Sequence, residues 1–296
     1  QPKHADTILH QVHDAPRLVH ALSATARPLA RRLADAWYVP LIVSVIDADQ
    51  AENPNVGRPP DEFVAAASNP LLRQIRRART VPPERAFLIP PAVHITDSDG
   101  AFGRADNIPA VMAVGPFLPN HGYDTLIHAV ASLVSQGRHL LLFLIGDGPD
   151  EPQLRKLVKR LDIPSAVTFT GPINAPLAAI QGGDIFVLPY TTNTFLELPL
   201  AVMGAALAIL AAPNPAMDFL IHDKTALIHP ANDEHALAQH LDQLLTNPQA
   251  ARQLALQGRD HVKHNHAVSA LIRAACKLYE RLTLSARTIR LPGTNP

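Results

Sequence analysis

Short apolar runs bounded by glycine or proline alternate with amphipathic stretches along most of the chain. LIVSVI (Leu41–Ile46), VMAVG (Val111–Gly115), HLLLFLIG (139–146) and DIFVLP (184–189) are continuously apolar rather than alternating. Such runs predict strands buried on both faces, as in parallel sheets. Weaker strands are expected at Thr7–Leu9, Phe63–Ala67, Phe87–Pro90, Ala166–Thr170, 207–211 and ALIHP (226–230). Apolar positions at helical spacing predict helices over 17–36, 70–79, 122–136, 151–161, 175–181, 198–206, 233–245, 248–262 and 267–283. Gly137 follows one of these helices, where a C-terminal glycine is favoured.

Two breaks divide this pattern. NPNVGRPP (53–60) interrupts the first part, and residues 92–109, rich in Asp, Gly and Pro, read as an interdomain linker. The expected organisation is a partial N-terminal domain over 1–100, a second domain over 101–285 and a polar tail over 286–296. Strands and helices alternate on both sides of the linker. That predicts the α/β class, with two Rossmann-like, doubly wound parallel-sheet domains.

Composition narrows the partners. The 296 residues hold 26 Lys+Arg against 26 Asp+Glu, so no global charge favours nucleic acid or an anionic surface. Arg73, Arg76, Arg77 and Arg79 form the best candidate for a local basic patch and read as a solvated helix face. The single cysteine, Cys276, rules out a disulfide framework, fits a reducing compartment and is expected as a small core residue of a helix. None of the 15 histidines has a metal-ligand spacing. His261, His264 and His266 are expected at the surface or as caps, with no metal. The apolar run Pro199–Pro213 is shorter than the roughly 20 residues that span a bilayer, so it reads as a buried helix entering a buried strand. The first residue is Gln1 and no secretory leader is read. A cytoplasmic location, at most at the inner membrane face, is the expectation.

In open parallel sheets, ligands bind beyond the carboxyl ends of the strands. Three glycine turns fall there: Gly115, Gly146–Pro149 and Gly171–Pro172. Each alone is explained by the geometry of a tight strand-to-helix turn; their order and spacing carry more.

AVGPFLPNHGYDTLIHA (Ala113–Ala129), LLFLIGDGPDEPQLRKLVKRL, VTFTGPI, DIFVLPYTTNTF and HDKTALIHPANDEHALAQHL follow one another in the chain. Together they resemble the donor domain of GT-B glycosyltransferases of family 4, the group 1 type, over about residues 105–283. Upstream, VPPERAFLIPPAVHI (Val81–Ile95) is similar to the crossover of that family, and PDEFVAAASN to a strand ending in a serine, here Ser68. The resemblance implies a GT-B fold with a truncated N-terminal domain. It implies a retaining transfer from a nucleotide-sugar donor to a glycan, lipid or small acceptor, with no further cofactor. The first acceptor-domain strands are expected to be absent, which would leave a sheet edge for a partner or a peripheral membrane contact.

The same resemblance locates the candidate donor-binding residues: Gly115, Pro116, His121, Gly122, Gly146, Gly148, Gly171, Asn193, Phe195 and Ala201. In the family, an arginine and a lysine offset the charge that builds on the leaving diphosphate, and two glutamates hold the sugar and ribose. Here those positions carry Pro116 and His121, then Asn193 and Ala201. The family histidine of the acceptor domain falls at Ile46, beside Asp47, and a further family glutamate at Asp218. Charge-assisted contacts are the strong ones, so catalytic residues stay unassigned. The alternative is a glycosyltransferase-like protein that binds a polymer or an active partner without catalysis.

Overall fold

The computed structural model describes residues 7–9, 11–12, 14, 16–52, 61–78, 81–96, 100–103 and 107–289. Two parallel sheets organise them. The first contains β1 (Val19–Ala21), β2 (Leu41–Val45), β3 (Glu62–Ala66) and β4 (Ala86–Leu88), paired in that order. Its described helices are α1 (Arg27–Trp37), α2 (Ala48–Glu52) and α3 (Asn69–Ala78).

The second sheet is larger. Its strands are β5 (Ala110–Val114), β6 (Leu141–Ile145), β7 (Val167–Gly171), β8 (Ile185–Leu188), β9 (Ala208–Ala211) and β10 (Leu227–Ile228). Its helices are α4 (Tyr123–Ser135), α5 (Glu151–Arg160), α6 (Pro176–Ile180), α7 (Glu197–Gly204), α8 (Glu234–Thr246) and α9 (Pro248–Asn265). The strand order is β10-β9-β8-β5-β6-β7, all parallel. The chain therefore winds outward from β5 through β6 and β7, then returns to the other side of β5 for β8, β9 and β10. The α/β, doubly wound expectation holds, and the N-terminal sheet is the smaller.

Strand alternation explains why these runs are apolar throughout. Val111, Ala113, Ile185, Val187, Ala208 and Leu210 face Leu126, Val130, Leu237 and Leu241 of α4 and α8. The intervening Met112, Phe186, Leu188, Ile209 and Ala211 face the opposite side, with Leu200 and Met203 of α7. Successive side chains point to opposite faces, so helices on both faces require apolar residues at every strand position. The run Pro199–Pro213 is accordingly a buried helix entering a buried strand.

The last helix, α10 (Val268–Ile289), returns to the first sheet. Leu278 and Leu282 pack on Ile42 and Ala65. Tyr279 Oη lies 2.8 Å from His20 Nδ1, and His20 Nε2 lies 3.0 Å from Ser44 Oγ. Cys276 is exposed, contrary to its expected core position. Two residues from Leu278 along a helix, it lies on the opposite face. His264 is exposed, whereas His266 is a buried C-terminal cap of α9 whose Nδ1 donates to Pro91 O at 2.8 Å.

Several local expectations change. Thr7–Leu9 is helical, and Val12 N donates to Ile8 O at 3.1 Å. The expected helix over 17–36 begins as β1, because Val19–Ala21 pair with Leu41–Val43. The helix proper starts at Arg27, where Pro28 fits its first turn. Arg73, Arg76 and Arg77 lie exposed on α3 as expected, while Arg79 and the break 53–60 lie outside the described residues. The linker is laid on the second domain: Thr96 N donates to Gly204 O (3.3 Å) and Ala101 N to Ala206 O (2.8 Å). Asp184 fastens its end, accepting from Phe102 N (2.7 Å) and Ala110 N (2.9 Å). α10 runs on to Ile289, into the stretch expected as tail.

Glu62 at the start of β3 is fully buried and accepts from Arg27 Nε and Nη2 at 2.8 and 3.0 Å. Arg31 Nη1 also lies 4.0 Å from Glu62 Oε2, so removing Arg27 weakens rather than abolishes the compensation of this buried charge. Arg27→Ala is therefore expected to cost about 2 kcal/mol, read as a lower denaturant midpoint at unchanged slope. A loss below about 1 kcal/mol, as for a surface pair, would refute this.

Burial also holds the pKa of His20, His229, His240 and His261 below the ordinary 6.5. The unfolded chain then takes up protons first as pH falls. The contribution of these histidines to stability is present above about pH 6.5 and is lost as pH falls below it. The melting temperature at pH 5.5 is expected to be lower than at pH 7.5; an equal or higher value would contradict the sign.

Candidate active site

The second sheet reverses its winding between β5 and β8, and a crevice at such a switch point is where open α/β sheets bind ligands. The main chain beyond these strands is tightly knit. Gly115 N donates to Ile145 O and Gly146 N to Gly171 O, both at 3.1 Å. A Cβ on Gly146 would collide with the carbonyl of Gly115, and its φ of 140° is unfavourable for any L side chain. A Cβ on Gly115 would lie 2.7 Å from Tyr123 Oη and 3.2 Å from Tyr190 Oη. The glycine is what lets two phenols converge on the end of β5.

Tyr123 opens α4, directly after Gly122, which caps the helix with φ 69° and lies against Pro189 O. Its ring packs edge-on to Phe117 at 4.9 Å. Its hydroxyl is buried and has no hydrogen-bond partner among the described residues. Burial, then the neighbouring Tyr190, pushes its pKa far up; Tyr190 is raised by burial as well. Both phenols therefore keep their protons and can donate. His121 stacks on Tyr190, with centroids 4.5 Å apart and planes 21° from parallel. Its Nδ1 is likewise buried without a partner.

The crevice thus gathers Gly115, His121, Gly122 and Gly146, with Tyr123 and Tyr190 added by the fold. Pro116 is exposed at its rim, and Gly148 lies behind it against Phe117 O. Gly171 ends β7, away from the switch point, and meets nothing within 4 Å at its Cβ position. Phe195 is buried core, 5.5 Å from the Phe219 ring. Ala201 is half-buried within α7.

Asn193 belongs to a junction rather than an open loop. Ala48 N donates to Asn193 O (3.1 Å) and Phe195 N to Ile46 O (2.6 Å), while Asp47 and Thr194 form an antiparallel bridge. The segment after β8 is thereby joined to the end of β2 in the other domain, with the Asn193 side chain exposed. Asp218 makes a second junction: its Oδ2 accepts from Asn69 N (3.2 Å) and Asn69 Nδ2 (3.1 Å) at the start of α3.

Sequence reasoning missed Tyr123 and Tyr190. Each follows a strand end or a turn that faces the switch point, but only the strand order shows that β5 and β8 are neighbours. Among the described residues, no group of three His, Cys, Asp or Glu side chains could hold a metal ion. No described helix is long and apolar enough to cross a membrane.

Two parallel sheets joined in one chain, the N-terminal one the smaller, are the arrangement of the GT-B class. Residues 108–247 match the family described as Glycosyl transferases group 1. The chain is 22% identical over 279 residues to an uncharacterized glycosyltransferase, YqgM, of Bacillus subtilis, covering 90% of this chain and 78% of that protein. It is 26% identical over 213 residues to the lipopolysaccharide core biosynthesis glycosyltransferase LpsD of Rhizobium meliloti, covering 71% of this chain and 57% of that one. Among solved structures, Anabaena Alr3699/HepE in complex with UDP superposes with a TM-score of 0.78 at 17% identity, covering 94% of this chain and 82% of that one. The second domain thus matches the group 1 glycosyltransferase family over residues 108–247, and both sheets of the chain take the GT-B fold.

Because the Tyr123 hydroxyl is buried without a partner, Tyr123→Phe is expected to leave stability unchanged or raise it by about 1 kcal/mol. A loss above about 1 kcal/mol in chemical denaturation would mean the hydroxyl is bonded in the folded protein.

Proposed function

We propose that the protein transfers a sugar from a nucleotide-sugar donor to a hydroxyl group of a glycan, lipid or small acceptor. The observation that carries this reading is the pair of buried, unpartnered polar atoms at the switch-point crevice, Tyr123 Oη and His121 Nδ1. Buried polar groups are normally satisfied; Tyr123 Oη at the end of β5, with His121 stacked on the neighbouring Tyr190, suits an oxyanion. The nature of relatives supports the same chemistry: Alr3699/HepE was solved with UDP, and LpsD is a lipopolysaccharide core glycosyltransferase.

In this reading the diphosphate lies beside the strand ends at Gly115 and Gly146, next to the two phenols that crowd the Gly115 Cβ position. Bond breaking at the sugar moves negative charge onto the leaving phosphate. The Tyr123 and Tyr190 hydroxyls and the His121 imidazole donate to it, where the family resemblance implies an arginine and a lysine. Charged donors bind such oxygens about twice as strongly as neutral ones. A preorganised donor is worth on the order of 10²–10³ in rate. The chain is therefore a slow transferase with modest donor affinity. The leaving group departs as nucleoside diphosphate, and the acceptor hydroxyl forms the new glycosidic bond and loses its proton.

Thermal unfolding with UDP, GDP and ADP tests this directly. A nucleotide at about 100 times its dissociation constant adds roughly 2.7 kcal/mol, and one of the three is expected to give a clear upward shift. Tyr123→Phe should reduce that shift, and Pro116→Arg combined with His121→Lys should enlarge it. If no nucleotide shifts the folded protein and the double variant gains nothing, the crevice is not a donor site.

A further inference from the structure

A cavity of about 200 Å³ lies at the junction of the two domains. The ends of β3 and β4 wall it on one side, with the Asp218 loop and the C-terminal turn of α9 on the other. Ser68, only 2% exposed, lines it, and its Oγ is buried with no hydrogen-bond partner among the described residues. Leaving a buried hydroxyl unmatched is costly, which marks the cavity as a place for a polar group from outside.

The chemistry of that group follows from what surrounds Ser68. The start of α3 would ordinarily suit an anion. Here Asp218 already occupies it, with Oδ2 held by both nitrogens of Asn69. No lysine or arginine lines the cavity, and a phosphate would face the Asp218 carboxylate directly. His261, at the same wall, is kept neutral chiefly by burial and then by His266, against an opposing effect of Asp218. The cavity therefore offers a hydroxyl, a carboxylate with a free oxygen and a neutral imidazole, over an apolar side formed by Leu88 and Pro90. This set matches adjacent hydroxyls on a saturated ring, each donating to a carboxylate and accepting from a hydroxyl. At about 200 Å³ the space is below the roughly 300–1,000 Å³ that takes a drug-sized ligand, and suits one ring.

We propose that this junction cavity binds a single neutral, hydroxyl-rich ring, a hexose or a cyclitol, through Ser68 and Asp218. Identifying that ring with the acceptor end of the substrate rests on the transfer reaction proposed above; the binding itself does not. Since the two halves of the site come from different domains, the ring also ties them together.

Saturation-transfer NMR on the whole chain, with millimolar methyl glucoside, methyl galactoside, methyl mannoside and myo-inositol, tests the proposal. At least one neutral ring is expected to bind. Ser68→Ala and Asp218→Asn should each weaken it by about tenfold, the equivalent of one hydrogen bond. Ser68→Ala should melt no lower than the wild type, and Asp218→Asn can still cap Asn69 through its amide oxygen. Binding of no neutral ring, binding unaffected by both variants, or displacement of the ring by equimolar inorganic phosphate would overturn it. UDP titrated into the same samples separates the two readings. Ring binding without UDP binding sinks the donor site alone, and UDP binding without ring binding sinks this one.

Discussion

The parallel pairing of β5 with both β6 and β8 is the constraint on which the rest of the structure depends. Because these strands share a direction, their carboxyl ends lie at one edge and the chain must leave β5 and β8 toward opposite faces. The space between the departing segments is the crevice, and only main chain without side chains can close its floor. Gly146 meets that requirement against the Gly115 backbone, and Gly115 against the two phenols. The phenols of Tyr123 and Tyr190 reach the same point because one begins α4 and the other ends the β8 excursion.

The second organising feature is the way the two sheets are joined. Main-chain bonds link residues 46–48 with 193–195, Asp218 caps α3, and α10 crosses back to cover the first sheet. One buried apolar cluster runs across the junction, from Leu41 and Val64 to Phe186, Phe195 and Phe219. Residues that the family resemblance places around the sugar are thus partly spent on holding the domains together. Asn193 contributes its carbonyl and Phe195 its ring to the junction, while the side-chain donors that remain near the end of β5 include no lysine or arginine.

A crevice of phenols and imidazole is chemically distinct from one of guanidinium and ammonium. Donors without a fixed positive charge favour an anion less, but the loss in strength is partly offset by burial, because hydrogen bonds gain in a low-dielectric setting. Tyr123 and Tyr190 also stay protonated across the range in which the protein is stable. The pH sensitivity of the molecule therefore arises from buried histidines elsewhere rather than from these phenols.

By itself the sequence determined the elements and their kind. Continuous apolar runs such as Leu41–Ile46 and 184–189 could only be strands covered on both faces, and the glycines at 115, 146 and 148 had to be turns. That reading gave the α/β class, and motif order gave the family. It misjudged Val19–Ala21, whose strand state comes from pairing with β2, and Cys276, whose exposure depends on which face of α10 meets the first sheet. Neither is encoded locally. Only the tertiary structure decided which strand ends are neighbours, and so brought His121, Tyr123 and Tyr190 together from two separated segments. It alone placed Ser68 opposite Asp218, 150 residues apart in the chain, because contacts between domains follow from how sheets pack and not from spacing along a sequence.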